Sequence, residues 1–240
     1  MFVSIVIPTY NEAENIENLL EEISNSVDID ELEILVVDDN SPDKTWEIVK
    51  NYETKLERPK KSQIFIKVIR REKKEGIINA LLDGIDNAKG ENILVMDADF
   101  SHSPKYIPKL INELTQDNEC DIVIGSRYIK DGQIEGWSIR RYMVSSIATF
   151  LARLILKIEV QDVMNGFFLF RKRLLHDFKF TTKGQKFLLE LLVKAKYNKT
   201  KEIPIKFINR TAGKSKLDSG DIKNFISSLI ELRRWQKNQC

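Results

Sequence analysis

Cysteine and histidine are scarce, with two of each among 240 residues. Cys120 and Cys240 lie far apart, so neither a disulfide framework nor a thiolate metal knuckle is indicated, and a reducing cytosolic setting is expected. The chain opens on the strand-like "MFVSIVIP" and lacks the basic start, long apolar core and small-residue cleavage site of an export signal, which points the same way. An excess of one charge is also missing. The 38 Lys and Arg against 36 Asp and Glu leave a formal net charge of +2, so no global field argues for nucleic acid. No segment approaches the roughly 20 uninterrupted apolar residues of a membrane span. The nearest, "YMVSSIATFLARLILKI" at Tyr142 to Ile158, is broken by Ser145, Ser146, Arg153 and Lys157. It reads as an amphipathic helix that packs on a sheet or lies on a bilayer without crossing it.

What is present is a core's worth of apolar residues, 42% of the chain, in a length that suits one α/β domain spanning residues 1–240. Short runs rich in β-branched residues ("FVSIVI", "LEILVV", "IFIKVI", "NILVM", "DIVIG") alternate with helical periodicities such as Glu12 to Ile23 and Lys105 to Leu114. That rhythm predicts a mostly parallel sheet with crossover helices, buried on both faces. After "GSRY", Gly125 to Tyr128, it breaks into a loop, Lys130 to Trp137, then long helical patterns and one isolated strand, "IPIKFI", at Ile203 to Ile208. Residues 1–128 are read as a nucleotide-binding half, and residues 129–240 as acceptor-side helices and loops on the same sheet.

Three strands run into polar clusters: "TYNE", "DDNSPD" and "DADFS". Ligands of open parallel sheets bind outside the carboxyl ends of the strands. Helix capping by Asn11, Asn40 or Ser41 explains any one cluster alone, and a solvated turn explains Asp97-x-Asp99 alone. Three clusters on one edge predict a site. Two carboxylates at a strand end suit a hard dication, Mg²⁺ or Mn²⁺, which bridges to a diphosphate that bare aspartates would repel. His102, beside the pair, is read as a loop histidine facing solvent or the diphosphate in preference to a metal ligand.

"PTYNE" (Pro8 to Glu12), "VVDDNSPD" (Val36 to Asp43), "DADFSHSP" (Asp97 to Pro104), "GSRY", "EGWSIRRYMVSS" (Glu135 to Ser146), "DVMNGFFLFRK" (Asp162 to Lys172) and "IPIKFINRTAGKSKL" (Ile203 to Leu217) together resemble the GT-A glycosyltransferases of family 2, and within them the dolichol-phosphate mannose synthases. The likeness covers most of the chain in the same order. It implies transfer of mannose from GDP-mannose to a dolichyl or polyprenyl phosphate, with inversion at the anomeric carbon and a dependence on Mg²⁺ or Mn²⁺. By the same resemblance Pro8, Tyr10, Glu12 and Asp39 line the base and ribose pocket. Asp97, Asp99 and Ser101, where relatives carry Gln, hold the metal and diphosphate. Arg127, Arg141, Ser145 and Arg210, with Lys216 and Arg140 as secondary candidates, receive the acceptor phosphate.

A lipid phosphate arrives mostly dianionic, with a second pKa near ~6, so it needs no general base; it needs cations that orient it, and arginine forks match phosphate geometry best. Arg141 and Ser145, at i and i+4, share one helix face. A lipid acceptor also implies that the protein works peripherally on the cytosolic face of a membrane. The helix from Arg141, with Trp137 before it, is the candidate contact, and the resemblance implies peripheral attachment or a separate membrane-anchoring partner. The alternatives within glycosyl transfer are a polyprenyl-phosphate glucosyltransferase or another UDP-sugar transferase. Outside it stand a non-catalytic sugar-nucleotide sensor and a haloacid-dehalogenase-like phosphatase, whose first motif also reads D-x-D with the first Asp as nucleophile.

Overall fold

The structure, a computed structural model, describes residues 1–55, 63–176, 178, 180, 186–209 and 219–239. In chain order the first half runs β1 (Phe2–Thr9), α1 (Ile16–Ser26), β2 (Glu31–Asp38), α2 (Thr45–Lys55), β3 (Gln63–Arg70), α3 (Ile77–Asn87), β4 (Asn92–Val95), α4 (Ile107–Gln116) and β5 (Cys120–Ser126). It continues through β6 (Gln133–Glu135), α5 (Ile139–Leu156), β7 (Phe168–Arg171), α6 (Phe187–Lys194), β8 (Lys199–Pro204), β9 (Lys206–Ile208) and α7 (Ser219–Gln239).

Seven strands form one sheet in the order β3-β2-β1-β4-β7-β5-β8. All its pairings are parallel except those of β7, which runs antiparallel between β4 and β5, with Val95 and Ile124 both opposite Phe168. The expected mostly parallel α/β sheet is therefore present. On one face α1, α2 and α4 bury Leu19, Leu20, Val49 and Leu110 against Ile5, Ile34 and Leu94. On the other, α3, α5, α6 and α7 bury Leu81, Ala152, Leu188 and Leu232 against Val6, Leu35 and Phe168. Coverage of both faces is why the central strands are continuously apolar. Edge strand β3 instead alternates, with Ile64 and Ile66 buried and Gln63, Phe65 and Lys67 exposed.

Three elements differ from the sequence expectation. "IPIKFI" is two strands: the chain leaves the large sheet at Ile205, whose N–H donates to the Ser126 carbonyl and whose own carbonyl accepts from Gln133 N. The end of β8 is Pro204, which has no N–H with which to continue a ladder. β9 then pairs in parallel with β6, a strand inside the stretch expected to be loop. The third is β7 itself, whose "FLFR" is only four residues long and pairs antiparallel on both sides.

Candidate active site

β1, β2 and β4 end side by side, so their following loops share the carboxyl edge of the sheet. Asn11 and Asn40 adopt left-handed backbone (φ 60° and 59°), a conformation asparagine tolerates, and so turn their loops sharply. The two loops are laced together. Asn11 N donates to Ser41 Oγ at 3.0 Å, Glu12 N to Thr45 Oγ1 at 3.0 Å, and Ala13 N to Asp43 Oδ2 at 3.1 Å. Buried Asp38 secures the base of this lattice, accepting from Thr9 Oγ1, Ser41 N and Ser41 Oγ. Pro8 is buried in β1, whereas the Tyr10 ring is 38% exposed at the rim and carries Lys74 Nζ 3.5 Å from its centroid. Glu12 accepts from Asn15 Nδ2 at 2.8 Å.

Asp39 is buried, and its carboxylate organises the loop between β3 and α3. It accepts from Arg71 Nη1 at 2.6 Å, from Glu75 N at 3.0 Å and from Gly76 N at 2.8 Å. Arg71 also bonds Asp83 at 2.7 Å and Glu75. Gly76, at φ +92°, turns the chain into α3 in a conformation that side chains resist. The sequence analysis assigned Arg71 no part: it stands beside Arg70 in the charged run "RREKKEG", whose spacing carries no mark of Asp39.

The acidic pair follows β4. Asp97 keeps a side chain 37% exposed, and Asp99 Oδ1 accepts from Ser101 N at 3.0 Å, a local turn that orients the second carboxylate. Ser101 is buried and its carbonyl accepts from Ile208 N at 3.2 Å, which ties the acidic loop to β9. Gly166 lies directly against Asp97: a Cβ there would stand 3.0 Å from Asp97 Oδ2. Among the described residues no group of three or more His, Cys, Asp or Glu forms a ready-made metal cage. Two carboxylates without a cage fit Mg²⁺ or Mn²⁺ bound together with substrate phosphates, since Mg²⁺ in particular keeps waters and uses one or two protein carboxylates at such sites. Asp97 and Asp99 are the residues that fit.

His102 does not face solvent. It is 1% exposed, stacked on Phe167 (centroids 5.3 Å, 16° between planes) and edge-on to Phe207 at 5.1 Å. Burial, aided by the Arg127 charge, pushes its imidazole down to about 4, so it is neutral at neutral pH. Its Nδ1 lies 3.8 Å from Asp97 Oδ2.

Of the residues that the resemblance assigns to the acceptor, Arg127 is buried just past the end of β5. Its Nε and Nη2 grip Asp162 in a two-pronged pair, both at 2.8 Å, and its own N–H adds a third bond at 3.0 Å. Burial opposes its charge, but Asp162 more than offsets this and raises its pKa. Asn165 locks the same corner, donating to Gly125 O and accepting from Phe167 N at 3.1 Å. Arg141 and Ser145 lie on α5, as their spacing implied. Arg141 Nη1 donates to Asn209 Oδ1 at 2.7 Å, its guanidinium rests 4.3 Å from the Trp137 ring centre, and Ser145 Oγ accepts from Tyr128 OH at 3.0 Å. Arg210 and Lys216 lie outside the described residues. Asp162, Gly166 and Asn165 stood in a motif quoted as a whole, and nothing in their spacing announced which atoms they would meet.

α5 buries Thr149, Ala152 and Leu156 but leaves Met143, Ile147, Phe150 and Leu154 exposed by 54–63% along its outer face. Among the described residues no helix is long and apolar enough to cross a membrane.

Residues 4–178 match the model of the family described as glycosyl transferase family 2. A dolichol-phosphate mannosyltransferase of Pyrococcus furiosus is 40% identical over 238 residues, covering 98% of this chain; the chain in turn spans 65% of that relative's length. A polyprenol monophosphomannose synthase of Mycolicibacterium smegmatis is 32% identical, covering 95% of this chain and 85% of the relative. Among solved structures, a mannosyltransferase from Pyrobaculum calidifontis in complex with GDP-Man and Mn²⁺ superposes with a TM-score of 0.65 at 19% identity, over 99% of this chain and 64% of that one. The fold is thus the GT-A type that the motifs implied, and the chain belongs to glycosyl transferase family 2.

Proposed function

We propose that this protein transfers mannose from GDP-mannose to the phosphate of a dolichyl or other polyprenyl lipid, inverting the anomeric carbon. The observation that carries this reading is a chain of side-chain contacts that joins the two halves of the site. Arg141 packs on Trp137, Trp137 on Phe207, and Phe207 on His102, which abuts the acidic loop. Asp97 on the donor side and Arg141 on the acceptor side are therefore linked through packed side chains. The names of the relatives supply the sugar and the lipid.

In this scheme Tyr10, Glu12, Pro8 and Asp39 with its loop form the walls for base and ribose. Asp97 and Asp99 hold a dication, with Ser101 closing their loop; when bound, the ion would neutralise charge growing on the departing nucleoside diphosphate. Arg127, through the Nη1 edge that Asp162 leaves, and Arg141, with Ser145 beside it, aim the acceptor dianion at the anomeric carbon. A phosphate oxygen forms the new bond to that carbon as the carbon–oxygen bond to GDP breaks on the opposite face, and no proton has to be removed. Arg210 and Lys216 belong to the same acceptor set. The exposed row on α5 rests on the membrane surface that holds the lipid tail, from the cytosolic side, with or without an anchoring partner.

The test is a panel of GDP- and UDP-sugars offered with a short polyprenyl phosphate, with and without Mn²⁺. A lipid-linked mannose formed from GDP-mannose only with the metal is the expected product. Glucose transfer from a UDP-sugar would replace the reading with the glucosyltransferase one. Nucleotide-sugar binding without transfer to any lipid phosphate would leave a sensor. Release of free phosphate from simple phosphomonoesters would contradict both and is not expected of this family.

A further inference from the structure

Trp137 stands beside both Arg127 and Arg141. The Arg141 guanidinium lies 4.3 Å from one of its ring centres and that of Arg127 5.4 Å. The indole is fixed from behind, edge-on to Phe207 at 5.3 Å, and Phe207 is in turn fixed by His102. The residue before it, Gly136, has φ +78°, and a Cβ there would come 3.0 Å from Asn209 Cβ. Asn209 fits into that gap, donates to Gly136 O at 3.2 Å and accepts from Arg141, so the guanidinium is held to the same turn from its edge and from its face.

Two guanidiniums brought together repel each other, and a free arginine samples many rotamers. An indole face offsets part of the repulsion through its quadrupole, and a rigid ring removes the freedom before the ligand arrives. From this we infer that Trp137 is a positioning residue for the acceptor: it holds Arg141 in the arrangement that an acceptor phosphate monoester requires, beside an Arg127 that Asp162 already fixes. The inference rests on the acceptor reading above, and it assigns Trp137 itself no contact with the phosphate.

Dissociation constants of a short polyprenyl phosphate, measured by calorimetry with Mn²⁺ and GDP present, test it for the wild type, Arg141→Gln, Trp137→Leu, Trp137→Phe and the Arg141→Gln/Trp137→Leu double variant. Trp137→Leu should weaken acceptor binding about tenfold, and Trp137→Phe, which keeps an aromatic face, by less. Nucleotide binding should be unchanged. The double variant should bind no worse than Arg141→Gln alone, because a residue acting through the arginine has nothing to lose once the arginine is gone. Additive losses, an unaffected Trp137→Leu, or a parallel loss of nucleotide binding would overturn the inference. If Leu at this position prevents folding, the Phe variant and its own cycle with Arg141→Gln decide by the same criterion. Unchanged acceptor binding in Arg141→Gln would instead defeat the acceptor reading itself, and this inference with it.

Discussion

Gly166 and Asp97 are in contact across the edge of the sheet: a methyl group at 166 would sit 3.0 Å from the Asp97 carboxylate oxygen. Gly166→Ala should therefore turn the carboxylate without unfolding the chain. Small misplacements of a reacting group are costly, and a fall in turnover of roughly tenfold or more is expected, with the thermal transition shifted little. Mn²⁺ titration should show weakened metal use; unchanged turnover would mean the loop yields in place of the carboxylate.

Removing the metal carboxylates should have a sharper effect. Asp99→Ala, or chelation of the wild type, should abolish the proposed mannose transfer, and only the chelated wild type should recover when Mn²⁺ is restored. Residual metal-independent transfer would remove Asp97 and Asp99 from the proposed roles.

Asp162 and Arg127 test how the proposed acceptor side is held. Asp162→Asn leaves a buried guanidinium without its countercharge and should cost about 3 kcal/mol in chemical denaturation. Part of that loss should return when Arg127 is changed to Met in the same chain, since an apolar pair leaves no charge stranded. Transfer should not return with it, which separates stability from function at this corner.

Arg71 is predicted to act on the donor. Arg71→Met strands the buried Asp39 and loosens the Glu75 and Gly76 amides it arranges. GDP affinity should fall about tenfold, on the order of 1.4 kcal/mol, while the acceptor constant holds. A loss confined to the acceptor would contradict the placement of Asp39 in the nucleotide pocket.

The outer face of α5 is tested with vesicles. Phe150→Asp with Leu154→Asp should reduce co-sedimentation with polyprenyl-phosphate vesicles and raise the KM for the lipid acceptor, yet leave a water-soluble short-chain phosphate used as before. Each change removes apolar area that would otherwise leave water at the bilayer, and adds a charge that resists burial.

The alternation of apolar strands with amphipathic segments, and the polar clusters that end three of those strands, follow from local chemistry: period and turn residues act over a few neighbours. The sheet, its covered faces, the acidic pair beyond β4 and the i, i+4 pair on α5 were accordingly legible from residue order. β7 was not, because four residues inserted antiparallel between β4 and β5 carry no local mark of their partners. Nor was the split of "IPIKFI", which depends on Ser126 and Gln133 presenting hydrogen-bond partners to Ile205. For His102, read as facing solvent or the diphosphate, the solvent arm fails for the same reason: a loop position predicts exposure until Phe167 and Phe207 close over it.

By itself, then, the residue order determined which chemical groups the protein owns and on which strand ends and helix faces they stand. The tertiary structure alone decided which of them meet. Asp162 reaches Arg127 across 35 residues, and Asn209 reaches Arg141 across 68, through side-chain hydrogen bonds that exist only once the chain between them has folded. Contacts so distant along the chain leave no periodicity to read, and in this protein they are the contacts that hold the arginines in place.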